Sequence, residues 1–314
     1  MHAYFADIDP LQLPAGHRFP AQKYAMLREA LRALPAIHVR AAPLAPLQDL
    51  LRVHDAVYVD GVMSGRLSAD QQRDIGLPWT PITPLRSRRS VGATLAAMRA
   101  AQRDGVAANL GGGTHHAHAD GGRGFCVFND VAVATRQVQA LAGPGRSVHV
   151  AIIDLDVHQG DGTARIFAGD SSVFTLSLHG EKNYPFDKAH SDLDLELPDG
   201  CSDGRYLQAL DHALEVLDAR CRPDLVFYLA GADVHHGDRL GRLALTDAGV
   251  AERDQRVLDW VKSRALPLVL CMAGGYGHDL ATTVAIQRQT LNLAQRASIG
   301  WRVARPFTGA GPKL

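Results

Sequence analysis

The segment from Asp154 to Asp161 (DLDVHQGD) places three aspartates and one histidine directly after the apolar run Val148–Ile153. A packed core does not require three carboxylates and an imidazole, so a functional site explains these residues better. Asp156 and His158 are two residues apart, and in an extended chain both side chains project to the same side and can reach one metal ion. The segment therefore predicts a divalent metal site.

Other polar clusters also begin where an apolar run ends. If the runs are strands of a parallel sheet, their carboxyl ends meet at one edge, where α/β folds bind their ligands. One site can therefore collect all of these clusters. They are Gly111–His116 (GGGTHH), Asp154–Asp161, Ser177–His179, Ala230–Asp233 (AGAD) and Ala273–Gly277 (AGGYG).

The elements that must position these clusters form an alternating series. Strands separated by helices pair in parallel, and helices then cover both faces of the sheet. We therefore expect one α/β domain over residues 1–314 with a predominantly parallel sheet. The predicted strands are His2–Phe5, Val106–Leu110, Val148–Ile153, Val173–Leu178, Leu225–Leu229 and Leu268–Met272, and the predicted helices are Ser90–Asp104, Asn129–Leu141, Gly162–Ala168, Asp203–Ala219, Asp247–Arg264 and Asp279–Ala297.

The first 85 residues are rich in proline and less regular than the rest. Gly76–Pro84 (GLPWTPITP) is expected to form a long surface loop, because prolines and glycine interrupt regular structure. We expect this region to form part of the rim of the site. Ser202 and Thr246 are expected to cap the helices that follow them, since both side chains can accept a backbone hydrogen bond.

Composition narrows the class of protein. The 314 residues include 33 Lys plus Arg and 33 Asp plus Glu, so no global field attracts nucleic acid or an anionic membrane. The four cysteines (Cys126, Cys201, Cys221, Cys271) are widely separated and indicate a reducing compartment. No leader-like segment or apolar run of about 18 residues is present, so we expect a cytoplasmic protein without a membrane span.

Four motifs together resemble those of the zinc-dependent histone deacetylase superfamily, which has the arginase/deacetylase fold. Two shorter segments near the N-terminus match as well, so the resemblance covers most of the chain. The run HGEKNYPFDKAHSDLDLELPDG (179–200) is similar to the class IV-like bacterial members. The four motifs are GGGTHHAHADGGRGFCVFND (111–130), DLDVHQGDGT (154–163), AGADVHHGDRLG (230–241) and AGGYG (273–277), and the shorter matches are HRFPAQKY (17–24) and VHDAVYVDGV (53–62).

The resemblance implies that Asp156, His158 and Asp233 are the metal ligands. Three protein ligands leave a coordination position open for water and substrate, as in catalytic sites. One Zn²⁺ per chain is the expected cofactor, although two carboxylates and one imidazole also suit Fe²⁺ or Co²⁺.

The resemblance also implies the catalytic groups. His115 and His116 lie beside the metal and pair with Asp154 and Asp161, which fix the imidazole tautomers. We expect His116 to act as general base and then general acid, with His115 mainly electrostatic. The phenol of Tyr276, carried on a flexible glycine-rich turn, is expected to hold the oxyanion together with the metal.

Substrate contacts follow from the same likeness. Gly124, Phe125 and Cys126 match the segment that lines the acyl-lysine channel, and Tyr184 or Phe186 is expected to supply the opposite wall. Cys126 is equally consistent with a small buried hydrophobe. Family members also hold a monovalent cation, and the matching positions for K⁺ are Asp154, Asp156, His158, Ser177 and Leu178.

The implied activity is that of a zinc-dependent amidohydrolase. It would remove an acyl group, acetyl or longer, from the side-chain amine of lysine, with a metal-activated water attacking the amide carbonyl. The substrate partner would be an acyl-lysine protein or peptide, or a small acylated amine, without direct contact to nucleic acid. Acyl length, physiological metal and oligomeric state stay open.

Three alternatives also stay open. A deacetylase of small molecules such as acetylated polyamines would use the same catalytic residues. An arginase-like enzyme needs two manganese ions, and Asp161 follows His158 by three residues instead of two, so a second metal is poorly supplied. A non-catalytic acyl-lysine binding protein is disfavoured by the intact His115, His116 and Tyr276.

Overall fold

In this computed structural model, the described residues 1–143 and 145–304 contain one eight-stranded sheet in the order β2-β1-β3-β8-β7-β4-β5-β6. Every neighbouring pair is parallel. Pro144 and residues 305–314, which the predicted domain includes, lie outside the described residues. The strands are β1 (His2–Phe5), β2 (His38–Ala41), β3 (Val106–Asn109), β4 (Val150–Asp154), β5 (Val173–Gly180), β6 (Leu193–Leu197), β7 (Leu225–Leu229) and β8 (Leu268–Cys271).

Helices cover both faces of the sheet, as predicted. In β4, Ala151 and Ile153 join the core on one face, whereas Val150 and Ile152 join the core on the other. A strand with both faces buried reads as a continuous apolar run, which is why β4 was visible in the sequence. The helices are α1 (Gln22–Ala30), α2 (Leu47–Leu50), α3 (Ala56–Ser64), α4 (Ala69–Ile75), α5 (Ile82–Asp104), α6 (Asp130–Leu141), α7 (Asp161–Ile166), α8 (Asp203–Arg220), α9 (Asp247–Ser263) and α10 (Leu280–Ala297).

The predicted elements from β3 onward are present, with ends that differ by one or two residues. Thr246 caps α9 as predicted, because its side chain accepts a hydrogen bond from the backbone N–H of Gly249. Ser202 occupies the N-cap position of α8, but its side chain makes no capping hydrogen bond. The strand β6 was not predicted, because its residues are only partly buried and do not form an apolar run.

The region before residue 85 contains more regular structure than predicted. Strand β1 is present as predicted, but β2 and α1 to α4 were not predicted, and α5 already begins at Ile82, inside the predicted loop Gly76–Pro84. Pro84 lies in the first turn of α5, where the missing N–H has no helical acceptor and costs little. The prolines of this segment therefore mark the start of α5, whereas the prediction assigned them to a loop. Within the described residues, no helix is long and apolar enough to cross a membrane.

We expect Gly92→Ala to destabilise the protein by ~1–3 kcal/mol. Gly92 lies in α5, and an added Cβ would overlap the carbonyl oxygen of Pro43. The matched control is Gly204→Ala in α8, where nothing lies within 4 Å of the new Cβ. Urea unfolding should show no loss for Gly204→Ala and a gain of up to ~1 kcal/mol from helix propensity. Equal midpoints for the two variants would contradict the close packing at Gly92.

Candidate metal centre and active site

The predicted polar clusters lie at the carboxyl ends of five adjacent strands, β3, β8, β7, β4 and β5. Asp154 is the last residue of β4 and pairs in register with Leu229 of β7 and Ser177 of β5. Parallel pairing thus brings residues that are far apart in sequence to one edge of the sheet. Ser177 and Leu178 of the predicted potassium set lie within β5, beside this edge.

Asp156, His158 and Asp233 converge in the structure. Each offers one potential ligand atom, and these atoms all lie within 4.8 Å of one another. His158 Nδ1 is 2.9 Å from Asp156 Oδ1 and 3.4 Å from Asp233 Oδ2. Asp233 Oδ2 is buried without a hydrogen-bond partner. Since a buried carboxylate oxygen without a partner is costly, the site fits a bound cation.

Backbone groups orient the two carboxylates. Asp156 Oδ2 accepts a hydrogen bond from the N–H of Gly274 at 2.7 Å, and Asp233 Oδ1 accepts one from the N–H of Val157 at 3.0 Å. A side chain at position 274 would overlap Asp233 Oδ2 and lie 2.6 Å from Asp156 Oδ2. Glycine is therefore required at this position because the loop after β8 passes directly beside the carboxylates.

The charges of this cluster favour a cation as well. Burial and the neighbouring Asp156 raise the pKa of Asp233 to about 7. Burial alone would lower the pKa of His158, but Asp156 and Asp233 raise it to about 10. These opposite shifts arise because two carboxylates and one imidazole share one small buried volume, and a divalent ion bound there would compete with protons for the same atoms.

His115 and His116 each pair with the aspartate expected from the sequence. His115 Nδ1 lies 2.6 Å from Asp154 Oδ2, and His116 Nδ1 lies 2.7 Å from Asp161 Oδ1. The two imidazole rings are 4.2 Å apart between centroids. Each aspartate accepts from Nδ1, which leaves Nε2 of each ring available for chemistry.

The environments of the two histidines differ in charge. Burial would lower the pKa of His115, but the carboxylates of Asp154 and Asp156 raise it to about 9. Burial and the positive charge of His115 lower the pKa of His116 to about 4, although Asp161 opposes them. The two pKa values are thus shifted in opposite directions, and the predicted division of roles between His115 and His116 stays a prediction.

His118 is a site residue that the sequence analysis missed. Its Nε2 lies 2.9 Å from Asp161 Oδ2, so Asp161 pairs with two imidazoles at once. Burial would raise the pKa of Asp161, but its bonds to His116 and His118 hold it well below the ordinary value. The sequence did contain a signal for His118, because it is the third histidine of the segment HHAH, two residues after His116.

Hydrogen bonds join the loop that carries Tyr276 to the rest of the site, and the expected flexibility of this turn stays a prediction. The backbone N–H of Tyr276 donates to Asp238 Oδ2 at 2.6 Å. The buried Lys23 donates to the carbonyl oxygens of Ala273 and Gly275 at 3.4 and 3.2 Å, and its Nζ lies 5.2 Å from the centroid of the Tyr276 ring. Lys23 lies in the matching segment HRFPAQKY, but sequence reasoning gave it no role.

The channel residues surround the entrance to the metal cluster. Gly124 has a φ of +51°, and a Cβ there would lie 2.8 Å from the His116 ring. Phe125 also has a positive φ of 68°, and its ring is 6.1 Å from that of Tyr276. A non-glycine residue in this conformation stores strain, which is common at ligand-binding sites.

Tyr184, a candidate for the opposite wall, borders the same cavity as Phe125, and its ring centroid is 4.9 Å from that of His116. Phe186 is 87% exposed and lies farther out, so it belongs to the rim of the channel. Cys126 is buried, and burial raises the pKa of its thiol well above the ordinary value. Cys126 therefore behaves as a small hydrophobe and not as a reactive thiolate.

A buried arginine, which the sequence analysis did not predict, supports the backbone beside the metal cluster. Arg253 is fully buried and donates to the carbonyl oxygens of Leu155 and Gly231 at 3.3 and 2.7 Å. These residues lie one position before Asp156 and two before Asp233. Asp254 pairs with the same guanidinium at 2.8 Å, so the buried charge is compensated.

Comparison with known proteins supports the family suggested by the motifs. The profile of the histone deacetylase domain matches residues 17–291. The chain belongs to the histone deacetylase family. The family is one of deacetylases, which are hydrolases, and their fold is the predicted arginase/deacetylase fold.

Two curated relatives and one solved structure illustrate the similarity of this family member. An uncharacterized protein of Picosynechococcus sp. is 44% identical over 274 residues, which cover 85% of this chain and 90% of the relative. Histone deacetylase 2 of Arabidopsis thaliana is 31% identical over 299 residues, covering 91% and 76%. The crystal structure of an HDAC homologue from Aquifex aeolicus aligns with a TM-score of 0.78 at 22% identity, covering 93% and 83%. This last likeness concerns the fold alone.

His54, in the matching segment VHDAVYVDGV, fixes the loop that carries the tandem histidines. Its Nδ1 is 2.9 Å from the carbonyl oxygen of His118, and its Nε2 accepts from the N–H of Asn129 at 3.0 Å. Asn129 caps α6 with its own side chain. Burial lowers the pKa of His54 from 6.5 to about 4, so the folded state keeps this ring neutral.

We expect the free energy of unfolding to fall on acidification partly through His54. The unfolded chain takes up a proton near pH 6.5 and the folded chain near pH 4, so this contribution is complete above pH 6.5 and lost towards pH 4. It amounts to at most about 3 kcal/mol. Urea unfolding of His54→Gln across this range should give a flatter dependence on pH. His212→Gln, on the exposed side of α8, is the control, and equal slopes for both variants would contradict the role of His54.

Proposed function

We propose that this protein is a divalent-metal-dependent amidohydrolase that removes acyl groups from the side-chain amine of lysine. The observation that carries the proposal is the pair of buried couples, His115 with Asp154 and His116 with Asp161, beside the Asp156, His158 and Asp233 cluster. A cation site next to a neutral imidazole is suited to hydrolysis by activated water. Membership of a deacetylase family supports the same reaction class.

The site residues divide the work of amide hydrolysis. When bound, a divalent metal would polarise the acyl carbonyl and lower the pKa of a water molecule. His116 takes a proton from the attacking water at Nε2 and returns it to the departing amine. His115 stays positively charged and stabilises the negative charge of the transition state. Tyr276 donates its phenolic hydrogen to the developing oxyanion.

The channel residues hold the substrate. Phe125 and Tyr184 enclose the alkyl chain of the acyl-lysine, and the carbonyl of Gly124 is available to accept the amide N–H. The rim residue Phe186 contacts the part of the substrate outside the channel. Aromatic walls suit a long apolar chain because they bury it without polar contacts.

We propose Zn²⁺ as the metal, held by Asp156, His158 and Asp233. The donor set of two carboxylates and one imidazole fits Zn²⁺ in a catalytic site and also accepts Fe²⁺ or Co²⁺. Within residues 1–143 and 145–304, this is the one group of three or more acidic, histidine or cysteine side chains close enough to hold an ion. The two-manganese, arginase-like alternative is therefore not supported. A potassium ion beside Asp154 and Ser177 stays a prediction from the resemblance.

One comparison of variants tests which acylated amine is the substrate. It also tests whether the protein binds this substrate without turnover. Tyr276→Phe should lower kcat/KM for acyl-lysine peptides at least ~100-fold, because it removes one oxyanion donor. Chelator treatment should abolish turnover, and added Zn²⁺ should restore it. The measurement is turnover of peptides bearing acetyl, butyryl, octanoyl and myristoyl lysine, which also gives the chain-length preference.

Tyr4→Phe on β1 is the control, since it removes a phenol away from the channel and should leave turnover unchanged. Metal content is measured on every sample. Tight peptide binding without turnover in the metal-loaded native protein would point to the binding-protein alternative. Turnover of acetylated polyamines without turnover of peptides would point to the small-molecule alternative.

A further inference from the structure

The channel opens into a surface cavity of about 660 Å³ that His116, His158 and Tyr276 reach from below. The charged side chains around this mouth are mostly cationic. A substrate that places its acylated amine at the metal cluster must set its remaining groups among them. They are Arg18, Arg73, Lys182, Arg239 and Arg242, with Asp74 as the one acid among the described lining residues.

Two of the five cations are neutralised locally. Arg73 forms an ion pair with Asp70, and Arg242 forms one with Asp199 at 2.9 Å. Within the described part of the chain, Arg18, Lys182 and Arg239 form no ion pair with a carboxylate. After these pairs are removed, three cations face one acid, Asp74, so the mouth carries a net charge of about +2.

Hydrogen bonds fix the Arg239 guanidinium and the backbone of the loops that carry the other cations. The guanidinium of Arg239 donates to the carbonyl oxygens of Tyr276 and Arg18 at 2.8 and 3.4 Å. The buried side chain of Asn183, next to Lys182, donates to the carbonyl of Leu240 at 2.7 Å. Asn183 also accepts from the N–H of Arg242 at 3.2 Å. These bonds join the loops on both sides of the mouth, so the positive charge is part of the fold.

We propose that this mouth selects acyl-lysine substrates in an acidic context, with carboxylates on the residues flanking the modified lysine. The inference rests on the proposed lysine deacylase function and adds the chemical class of the flanking sequence. Anionic flanks meet the free charges of Arg18, Lys182 and Arg239, which favours encounter and orientation. The same charges repel lysine-rich segments and acylated polyamines, whose remaining amines are cationic.

The test compares three peptides that carry the acyl-lysine turned over fastest in the chain-length series and differ only in their flanks, with two Glu, two Gln or two Lys on the adjacent positions. We expect kcat/KM at low salt to rank Glu above Gln above Lys, with at least ~10-fold between the extremes. Because exposed charges are screened, the ratio should fall below ~3-fold at about 0.5 M salt.

Variants test whether the preference for Glu flanks arises at the mouth. The double variant Arg18→Glu with Lys182→Glu should reverse the order of the Glu and Lys peptides. Arg103→Glu is a control with half of that change in net charge, since Arg103 is exposed at the end of α5, next to the amino end of β3 and on the opposite edge of the sheet. It changes the net charge of the protein in the same direction but should leave the preference for Glu flanks intact.

The outcomes separate this inference from the function on which it rests. Turnover of the Gln peptide with equal rates for all three flanks, or with Lys preferred, overturns the charge selection and leaves the deacylase function standing. A preference for Glu that Arg103→Glu abolishes as strongly as the double variant overturns the role of the mouth. Turnover of no peptide by the metal-loaded protein overturns the deacylase function and this inference together.

Discussion

The approach of two buried carboxylates, Asp156 and Asp233, is the constraint on which the rest of the site depends. Both are almost completely buried, and their oxygens converge on one small volume with His158. Like charges this close cannot both ionise without a positive charge between them. The fold accepts this arrangement because backbone N–H groups of Val157 and Gly274 each bond one oxygen. The remaining need for positive charge is the reason that the cluster fits a cation.

Around these two carboxylates, acidic and basic side chains alternate with increasing distance. The carboxylates of Asp154 and Asp161 pair with His115 and His116, and His118 adds a second imidazole to Asp161. A buried charge is tolerated only when it is paired, so each buried charged side chain requires a neighbour of opposite charge. Below the cluster, Arg253 fixes the backbone through carbonyl oxygens. The electrostatic difference between the two histidines follows from this arrangement, since His115 lies close to both Asp154 and Asp156.

The sheet and the central residues could be predicted from the sequence because their signals are local. A strand buried on both faces, such as β4, is a continuous apolar run, and parallel pairing then places the following polar clusters at one edge. The role of Lys23 could not be read locally, because its partners Ala273 and Gly275 are about 250 residues away along the chain. The role of Arg253 was also not visible, for a different reason. A charged residue on a helical pattern is normally solvated, and only the packed structure shows that this one is buried.

Arg239 joins two parts of the molecule that are often treated as separate. Its guanidinium faces the mouth of the channel and at the same time bonds the carbonyl oxygen of Tyr276. Under the proposed function, a substrate group that displaces this arginine would therefore also disturb the backbone of Tyr276. Within the part of the chain that the structure describes, Lys182 makes no hydrogen bond to the loop of Tyr276. A change at residue 182 would then alter substrate preference alone, whereas a change at residue 239 would alter preference and rate together.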